Sequence, residues 1–426
     1  MTLILAPAVI QVVGVVIVGA VFIQSVFLIV SSFRRLAIER EQRRVTLDSL
    51  RYQTEIATAE SKKEGDRTAL SWSGHRKFEV QRKVKEVEGV HSFYLAPHDG
   101  KPLPPFLPGQ YLTFQLRIPD EPKPLIRCYS LSDGPNNPDC YRISIKKVPP
   151  PRDKPDAPSG ASSTYFNDML QEGDILDVKA PSGQFFLDIN SELPIVLIGG
   201  GIGLTPVLSM LTALTESGIR REVWFFLGVR NGKEHLMKEQ LEALNKANEN
   251  LHLHVCYSDP QEGDEKDRDY QHSGHVSVDR FKELLPSNNY KFYICGPPPM
   301  MEFLTGGLKE WGVPKEDIHF EAFVPATVKK TKAEAPEAGE GKAVEVVFDR
   351  SGKTLKWDGG AETLLEFAED NGIVIESGCR AGNCGTCVVA VKSGEVTYLT
   401  DPGATPEEGS CLTCVAVPKT ALTLDA

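Results

Sequence analysis

The sequence is short of basic residues: 47 lysines and arginines stand against 58 aspartates and glutamates, a formal net charge of -11. Nucleic-acid binding needs a basic face, so this balance argues against a nucleic-acid partner. Cysteine is sparse too, with nine in 426 residues, which excludes a disulfide scaffold. At roughly 150 residues per domain, the length predicts about three domains.

Histidines in metal-ligand spacing are also missing. His75, His91, His98, His252 and His254 stand in no such pattern with other candidate ligands. Metal-binding histidines recur at short, characteristic intervals. We therefore expect surface histidines or hydrogen-bonded core histidines.

One stretch lacks charge altogether. Residues 8–30 contain no charged side chain, and the only clearly polar ones are Gln11, Gln24 and Ser25. A helix of this length spans about 35 Å, enough for a hydrocarbon core of about 30 Å. A cleaved signal peptide is the alternative, but it would need a basic start, which MTLILAP does not provide. We therefore expect residues 1–33 to form a transmembrane anchor in contact with membrane lipid.

Basic residues follow this stretch directly, at Arg34, Arg35, Arg40, Arg43 and Arg44. The positive-inside rule then predicts a single-pass protein with its N-terminus outside. The remaining domains would lie on the cytoplasmic face of a bacterial inner membrane. The composition of residues 34–71 predicts a charged helical stalk. A solvated charged spacer is an equally good interpretation of the same residues.

The rest of the chain falls into four segments that differ in composition and in hydrophobic periodicity. Residues 72–190 hold short β-rich segments broken by glycine and proline, which predicts a small antiparallel barrel or sandwich. In residues 191–328, apolar strands alternate with helical segments, which predicts a doubly wound parallel α/β sheet. Residues 329–342 have the composition of a flexible linker. Residues 343–426 form a compact unit with five of the nine cysteines.

The cysteines of this last unit carry the strongest signal. Cys379, Cys384 and Cys387 are spaced C-x4-C-x2-C, the plant-type [2Fe–2S] pattern. Intervening glycines let a loop bend tightly and bring backbone amides close to sulfide. Zinc is the alternative, but zinc sites usually have paired C-x2–4-C knuckles. Spacing alone admits either Cys411 or Cys414 as the fourth ligand.

A second constellation is the stretch formed by Arg127, Cys128, Tyr129 and Ser130. A guanidinium can bind a diphosphate, a tyrosine ring can lie against a flavin, and a hydroxyl can reach the flavin N5. Alone this is a weak signal, and an ordinary strand explains it better. It gains weight from Gly160 and Ser163, in a small-residue turn that opens a helix-like segment. Such a turn favours an anion through its backbone amides.

A third constellation, GGGIGLTP at residues 199–206, lies between an apolar strand and a helix. Its candidate nucleotide-binding residues are Gly200, Gly201, Gly203, Thr205 and Pro206. Glycines there allow the backbone to approach a pyrophosphate. The stretch does not follow the G-x-G-x-x-G fingerprint, so by itself it is ambiguous.

Residues 344–426 resemble the plant-type ferredoxin family, whose ending LTCVAxP matches residues 412–418. The resemblance implies a β-grasp-like α+β domain. It also implies that Cys379, Cys384, Cys387 and Cys414 ligate the cluster, with Cys411 as a buried neighbour. The CGTC stretch is more like ferredoxin domains fused to oxygenase reductases.

Residues 72–328 resemble the ferredoxin–NADP reductase superfamily, and flavohaemoglobin reductase modules most closely. The matching stretches are PGQY, RCYSLSD, GASSTYFNDM, APSGQFFL, GGGIGLTP, CGPPPMM and FEAF. The resemblance implies that FAD is bound by Tyr111, Arg127, Cys128, Tyr129, Ser130, Gly160 and Ser163, with Phe323 near the flavin. It implies that the nicotinamide cofactor is bound by Gly200, Gly201, Gly203, Thr205, Pro206, Cys295, Gly296 and Pro297.

The resemblance also implies catalytic roles for Ser130, Cys295 and Glu321. For Cys295, a buried core thiol is the competing interpretation. NADH is expected rather than NADPH, because no pattern typical of NADPH-specific relatives follows the second strand of the α/β sheet, although Arg230 and Lys233 are basic.

The domain order is similar to that of reductase components of bacterial oxygenases and of the hybrid-cluster protein reductase. It implies an NAD(P)H-dependent oxidoreductase that passes electrons through FAD and a [2Fe–2S] cluster to an acceptor protein, for which we expect an oxygenase component. One alternative is a quinone reductase like the F subunit of the sodium-pumping enzyme, although there the ferredoxin precedes the flavin domain. Another is a tethered electron carrier without nicotinamide turnover. No globin precedes the reductase, so nitric-oxide dioxygenation is not implied.

Overall fold

The computed structural model describes residues 7–426 except 120, 122–123, 151–153, 192, 219–220, 324–343, 379, 381, 383–384, 400–401 and 403–405. The chain divides into two compact units, Met1–Thr68 and Ala69–Ala426. The predicted linker at residues 329–342 lies outside the described residues, as do Cys379 and Cys384.

A single helix, α1 (Pro7–Leu70), runs through the segments predicted as anchor and stalk. The helix expected for the stalk is present. It continues without a break from the segment predicted as the anchor. Within the described residues, no helix has an apolar stretch long enough to cross a membrane. The transmembrane anchor predicted for residues 1–33 is therefore not supported by the structure.

An antiparallel barrel follows. Its strands are β1 (Arg76–Val87), β2 (Val90–Pro97), β3 (Tyr111–Leu116), β4 (Leu125–Ser130), β5 (Tyr141–Lys146) and β6 (Ile175–Val178). They are ordered β4-β3-β6-β1-β2-β5, and a bridge between Leu131 and Ile143 brings the two outer strands together. The predicted barrel is thus confirmed.

Aromatic side chains fill the barrel and fix the one helical segment it carries. This segment is α2 (Ala161–Thr164), continued by a π-helical turn at Tyr165–Met169. Phe166 in that turn is fully buried, with ring centroids 5.3 Å from Phe93 and 5.5 Å from Phe114, both edge-on. Edge-to-face pairs of this kind add to the free energy of burial. The turn is therefore held by the barrel core.

The predicted doubly wound domain is also confirmed. It contains β7 (Ile195–Gly200), α3 (Leu204–Glu216), β8 (Val223–Val229), α4 (Lys238–Ala247), β9 (Leu251–Tyr257), β10 (His272–Ser273), α5 (Val278–Leu284), β11 (Lys291–Gly296), α6 (Pro298–Glu310) and β12 (Ile318–Ala322). The parallel sheet has the order β10-β9-β8-β7-β11-β12, with apolar cores on both faces. Strand order reverses between β7 and β11, the position where such sheets bind ligands.

The C-terminal domain is a small α+β unit of the expected class. It contains β13 (Val344–Phe348), β14 (Lys353–Trp357), α7 (Leu364–Asp370), β15 (Val388–Ser393), β16 (Val396–Tyr398), β17 (Ser410–Leu412), β18 (Ala416–Pro418) and β19 (Leu422–Leu424). The hairpin β13–β14 pairs in parallel with β19, in the order β14-β13-β19-β15-β17. Thr363 caps α7 by accepting a hydrogen bond from the Glu366 amide.

Candidate functional site

The FAD-binding candidates lie on β4 and the segment that packs beside it. The Tyr129 hydroxyl is 2.7 Å from the Ser162 hydroxyl, and the Tyr129 ring stands edge-on to Phe166 at 5.1 Å. Burial raises the pKa of Tyr129 to about 12. The phenol therefore keeps its proton at neutral pH and can act as a hydrogen-bond donor.

The other FAD-binding candidates on β4 each contact a different group. The Arg127 guanidinium donates to the Ile126 carbonyl at 2.8 Å, and the Cys128 sulfur is 3.3 Å from the Thr113 hydroxyl. Ser130 is buried and pairs in register with Tyr111 on β3. Alternation along a strand places Arg127 and Tyr129 on one face and Cys128 and Ser130 on the other. The sequence pattern predicts all four residues as parts of one FAD site.

Gly160 and Ser163 build a tight turn. The Ser163 hydroxyl donates to the Gly160 carbonyl at 2.9 Å and accepts from the Val148 amide at 3.0 Å. A Cβ at position 160 would lie 3.0 Å from both the Ser163 oxygen and Val148 Cβ. The helix that follows, α2, has only four residues. Ser163 therefore shapes the loop, and its contact with FAD stays a prediction.

Tyr111 is held by a second loop of the barrel. Its amide and carbonyl both bond to Ser182, each at 3.0 Å, and a Cβ at Gly183 would lie 2.8 Å from the Tyr111 ring. Gly183 has φ +122, which favours glycine. Tyr111 is almost fully buried in this arrangement. Its contact with FAD stays a prediction.

The nucleotide-binding candidates meet where β7 and β11 end. A Cβ on Gly203 would lie 2.3 Å from the Cys295 carbonyl oxygen, and one on Gly200 would lie 2.4 Å from Met300 Sδ. At Gly203 a Cβ would meet only backbone atoms, and at Gly200 it would lie 2.8 Å from the rigid Pro297 ring as well as against the movable Met300 side chain, so both positions favour glycine. A Cβ on Gly201, with φ +54, would meet nothing within 4 Å. This leaves the backbone of Gly201 accessible to a ligand, as a dinucleotide site requires.

Four further candidates support these loops. Thr205 and Pro206 are buried in the first turn of α3, where the Thr205 hydroxyl donates to the Ile202 carbonyl at 3.0 Å. Pro297 directly precedes α6, and Gly296 lies against Gly200 at the end of β11. These residues shape the crevice, and direct contact with the nucleotide stays a prediction.

Cys295 lies between β7 and β12, in register with Gly199 and Glu321. The thiol is fully buried in the core of the α/β domain, and burial, with the charge of Glu321 second, raises the pKa of Cys295 well above its usual range. Full burial is typical of a structural thiol, and the predicted role of Cys295 beside the nicotinamide stays a prediction. Glu321 is itself buried, whereas Phe323 is exposed just beyond β12, where an aromatic ligand could stack on it.

Two of the four predicted cluster ligands are described. The sulfurs of Cys387 and Cys414 are 3.0 Å apart, and both residues are buried. Two buried thiols brought together from separate segments are the kind of donors that a [2Fe–2S] cluster takes. Gly382 and Gly385 have φ +75 and +73, consistent with the tight bends expected of the loop. No group of three metal ligands is found in the described part of the chain, from which Cys379 and Cys384 are missing.

Sequence reasoning missed several contacts of the site. Ser162 is the hydroxyl partner of Tyr129, and Met300 closes over Gly200. A Cβ on Gly385 would lie 3.1 Å from Gln184 Nε2, so the cysteine loop lies against the barrel. The first two contacts lie inside quoted motifs and could have been suspected. The third joins residues about 200 positions apart in sequence and has no local signal.

Three family models match the chain in order. Residues 78–187 match an oxidoreductase FAD-binding domain, residues 197–305 an oxidoreductase NAD-binding domain, and residues 346–419 a 2Fe-2S iron-sulfur cluster binding domain. The chain belongs to the ferredoxin–NADP reductase superfamily. Its C-terminal iron–sulfur domain extends the superfamily's two-domain module.

Individual relatives agree with this assignment. The flavohemoprotein of Bacillus thuringiensis subsp. konkukian is 42% identical over 255 residues, 60% of this chain and 62% of that protein. The FAD/NAD-binding domain of nitric oxide dioxygenase from Vibrio cholerae is 31% identical with a TM-score of 0.53, covering 59% of this chain and all of that one. Phthalate dioxygenase reductase is 27% identical with a TM-score of 0.54, covering 83% and 98%.

The chain spans about 62% of the length of the curated flavohemoprotein relatives. The three matched domains establish FAD, a nicotinamide dinucleotide and a [2Fe–2S] cluster as the cofactors of this oxidoreductase.

Proposed function

We propose that this reductase delivers electrons from NADH to an acceptor protein, and that the acceptor is an oxygenase component. The carrying observation is the buried Cys387–Cys414 pair, in one compact unit with the nucleotide crevice and the barrel. Phthalate dioxygenase reductase, similar over 83% of this chain, is named for electron transfer from pyridine nucleotides to [2Fe–2S]. This likeness supports an oxygenase partner.

The cofactors supply the redox chemistry: bound FAD can take electrons in pairs from NADH and pass them singly to the cluster. The chain provides position and shielding. Tyr129 offers a phenol that stays protonated, and Ser162 fixes its hydroxyl. Phe114 and Phe166 pack around the Tyr129 ring and exclude water from that side. Gly201 leaves its backbone accessible at the nucleotide crevice.

NADH is the proposed donor because carboxylates contact the loop that follows the second strand of the α/β sheet. Glu234 lies 3.7 Å from the Arg230 guanidinium and 3.0 Å from Lys146, and Asp264 accepts from the Gly232 amide at 3.2 Å. The 2′-phosphate of NADPH would have to compete with Glu234 for Arg230, which leaves the exposed Lys233 as the basic group open to it. A higher kcat/KM for NADPH than for NADH would contradict this preference.

Attachment to a membrane through residues 1–33 remains part of the proposal. Its support is the uncharged stretch at 8–30, the arginines after it, and the exposure of apolar side chains on α1 such as Val15, Val18, Phe22 and Phe27. The domains would then face the cytoplasm. Cell fractionation of the full chain, beside a variant lacking residues 1–33, tests this. Recovery of both in the supernatant would contradict membrane attachment.

The function is tested by mixing the purified full chain with NADH without oxygen. Flavin bleaching should be followed by the electron paramagnetic resonance signal of a reduced [2Fe–2S] cluster. Absence of flavin on boiling, or a cluster that stays oxidised, would overturn the proposal. Rapid turnover with ubiquinone or menaquinone, without an acceptor protein, would favour the quinone-reductase alternative, against which the domain order argues.

A further inference from the structure

Gly385, in the cysteine stretch of the iron–sulfur domain, lies close to Gln184 of the FAD barrel. Gly385 stands between the predicted ligand Cys384 and the buried Cys387. A Cβ at Gly385 would come within 3.1 Å of the side-chain nitrogen of Gln184. Cβ contacts this short are uncommon, so the absence of a side chain at 385 lets the Gln184 amide approach the loop.

Gln184 is presented by a fixed segment of the barrel. Two residues before it, Ser182 exchanges two backbone hydrogen bonds with Tyr111, and three residues after it the Leu187 amide donates to the Pro108 carbonyl at 2.9 Å. Gly183 lies against the Tyr111 ring. The segment that carries Gln184 is thus held on both sides to the PGQY stretch, which is the predicted flavin-contacting part of the barrel.

A continuous series of contacts therefore joins the two predicted cofactor sites: Tyr111 to Gly183, Gln184 to Gly385, and Gly385 through the loop to Cys387. Gln184 is polar but uncharged. A cluster bound by four thiolates is anionic, and residues 344–426 contain 13 aspartates and glutamates against six lysines and arginines. A neutral amide can approach such a surface without charge repulsion, which a carboxylate could not.

We propose that Gln184 and Gly385 form an internal docking contact that holds the cluster loop against the flavin wall of the barrel for electron transfer within the chain. The inference rests on the proposed function, since it concerns the step between the two cofactors. Gln184 is a positioning residue here, because it acts through the loop and not on the reacting atoms.

The test is Gln184→Glu in the full chain, which places a carboxylate of nearly equal size at the contact. Stopped-flow mixing with NADH should show flavin reduction at the wild-type rate and cluster reduction slowed about tenfold, as expected for a like-charge contact near a protein surface. Raising the salt concentration should restore most of the lost rate, because salt screens exposed charges. A merely structural lesion would not respond to salt in this way.

Gln171→Glu is the matched control. Gln171 is exposed in the turn at the opposite end of β6, so the same change of charge occurs away from the contact. It should leave both rates within twofold of wild type. Gln184→Asn, which keeps the amide, should retain most of the wild-type rate of cluster reduction.

Wild-type cluster reduction in Gln184→Glu would overturn the docking contact, as would a defect equal in both glutamate variants. Failure of the wild-type chain to reduce its flavin or cluster would instead overturn the proposed function. The two failures are therefore distinguishable.

Discussion

Individual buried polar groups decide how this reductase responds to pH. His235 is 5% exposed, and its Nδ1 is 2.8 Å from the Tyr257 hydroxyl, whose ring stacks on Tyr270 at 4.5 Å. Burial, with Lys238 as the second cause, lowers the pKa of His235 to about 4. The imidazole is neutral in the folded chain at pH 6 but is largely protonated there when the chain unfolds.

The α/β domain should therefore lose stability as pH falls from about 6.5 to about 4. In this window the unfolded chain binds a proton that folded His235 does not, so the free energy of unfolding rises with pH. The effect of this one group is of order 3 kcal/mol at most. Urea unfolding at several pH values measures it. His235→Gln should reduce the pH dependence of the free energy of unfolding.

We expect Tyr129→Phe to weaken FAD binding about fivefold, because it removes the hydroxyl that would donate a hydrogen bond to the cofactor. The substitution keeps the ring against Phe166 but removes a hydroxyl bonded to Ser162 at 2.7 Å. A net hydrogen bond is worth about 1 kcal/mol, which corresponds to that factor. Flavin fluorescence during reconstitution of the apoprotein measures the affinity. Tyr94→Phe is the control. It removes a tyrosine hydroxyl from the same barrel, at a ring that contacts Arg82 and is not among the predicted FAD contacts. Equal affinities in both variants would contradict a cofactor role for the Tyr129 hydroxyl.

Among the secondary-structure elements, apolar strands that end in glycine were the easiest to predict from the sequence. The apolar run before Gly199 and the alternation of later segments indicated β7, α3 and the parallel sheet, because strand and helix periodicities are local. The same reasoning placed Thr205 and Pro206 at a loop but could not show that both are buried. Burial depends on which loops meet, and the contact of Gly203 with Cys295 joins segments about 90 residues apart. The sequence does not indicate the π-helical turn after α2 either, which depends on packing of Phe166 in the barrel.

Gly203→Ala should destabilise the α/β domain by about 1–3 kcal/mol and raise the KM for NADH. Its Cβ would lie 2.3 Å from the Cys295 carbonyl oxygen and 2.7 Å from the Gly296 amide, both backbone atoms that cannot rotate away. Gly306→Ala is the matched control. It lies inside α6, where a Cβ would meet nothing within 4 Å, so alanine should stabilise the helix by up to about 1 kcal/mol. Thermal unfolding and NADH steady-state kinetics measure both. Equal stability of the two variants would contradict the contact.

For the whole molecule, sequence motifs predicted the order of the three domains, because each domain carries its own local signature. The contact between Gln184 and Gly385 could not be predicted, since no periodicity or spacing relates two domains. The excess of acidic residues could be counted from the sequence, but the sequence did not indicate what those residues contact. The iron–sulfur domain holds an excess of acidic residues, and Val374, before the cysteine loop, is 92% exposed. We expect the acidic excess of this domain to favour a basic acceptor, to which an exposed apolar residue such as Val374 would add contact area.

Val374→Lys should slow electron delivery to a basic acceptor such as cytochrome c several-fold, while NADH-driven cluster reduction inside the chain stays at the wild-type rate. The added cation repels the acceptor and removes apolar contact area. Reduction of cytochrome c in wild type should also fall with rising salt. Leu193→Lys, an exposed apolar position in the NAD-binding part, is the control. Equal slowing of both variants, or no salt dependence, would contradict an acceptor contact at Val374.

The bridge between Leu131 and Ile143 has a consequence for self-association. It is reinforced by the Ser132 amide, which donates to the Arg142 carbonyl at 2.8 Å, and it joins the two outer strands of the barrel. A sheet closed on itself offers no edge to which another copy can add a strand. The parallel sheet is open and ends in β12 on one side. Strand addition by another copy on mild heating is therefore expected at the edge strands of the open sheets, such as β12 and β14, and the barrel should keep its hydrogen-exchange protection longer than they do.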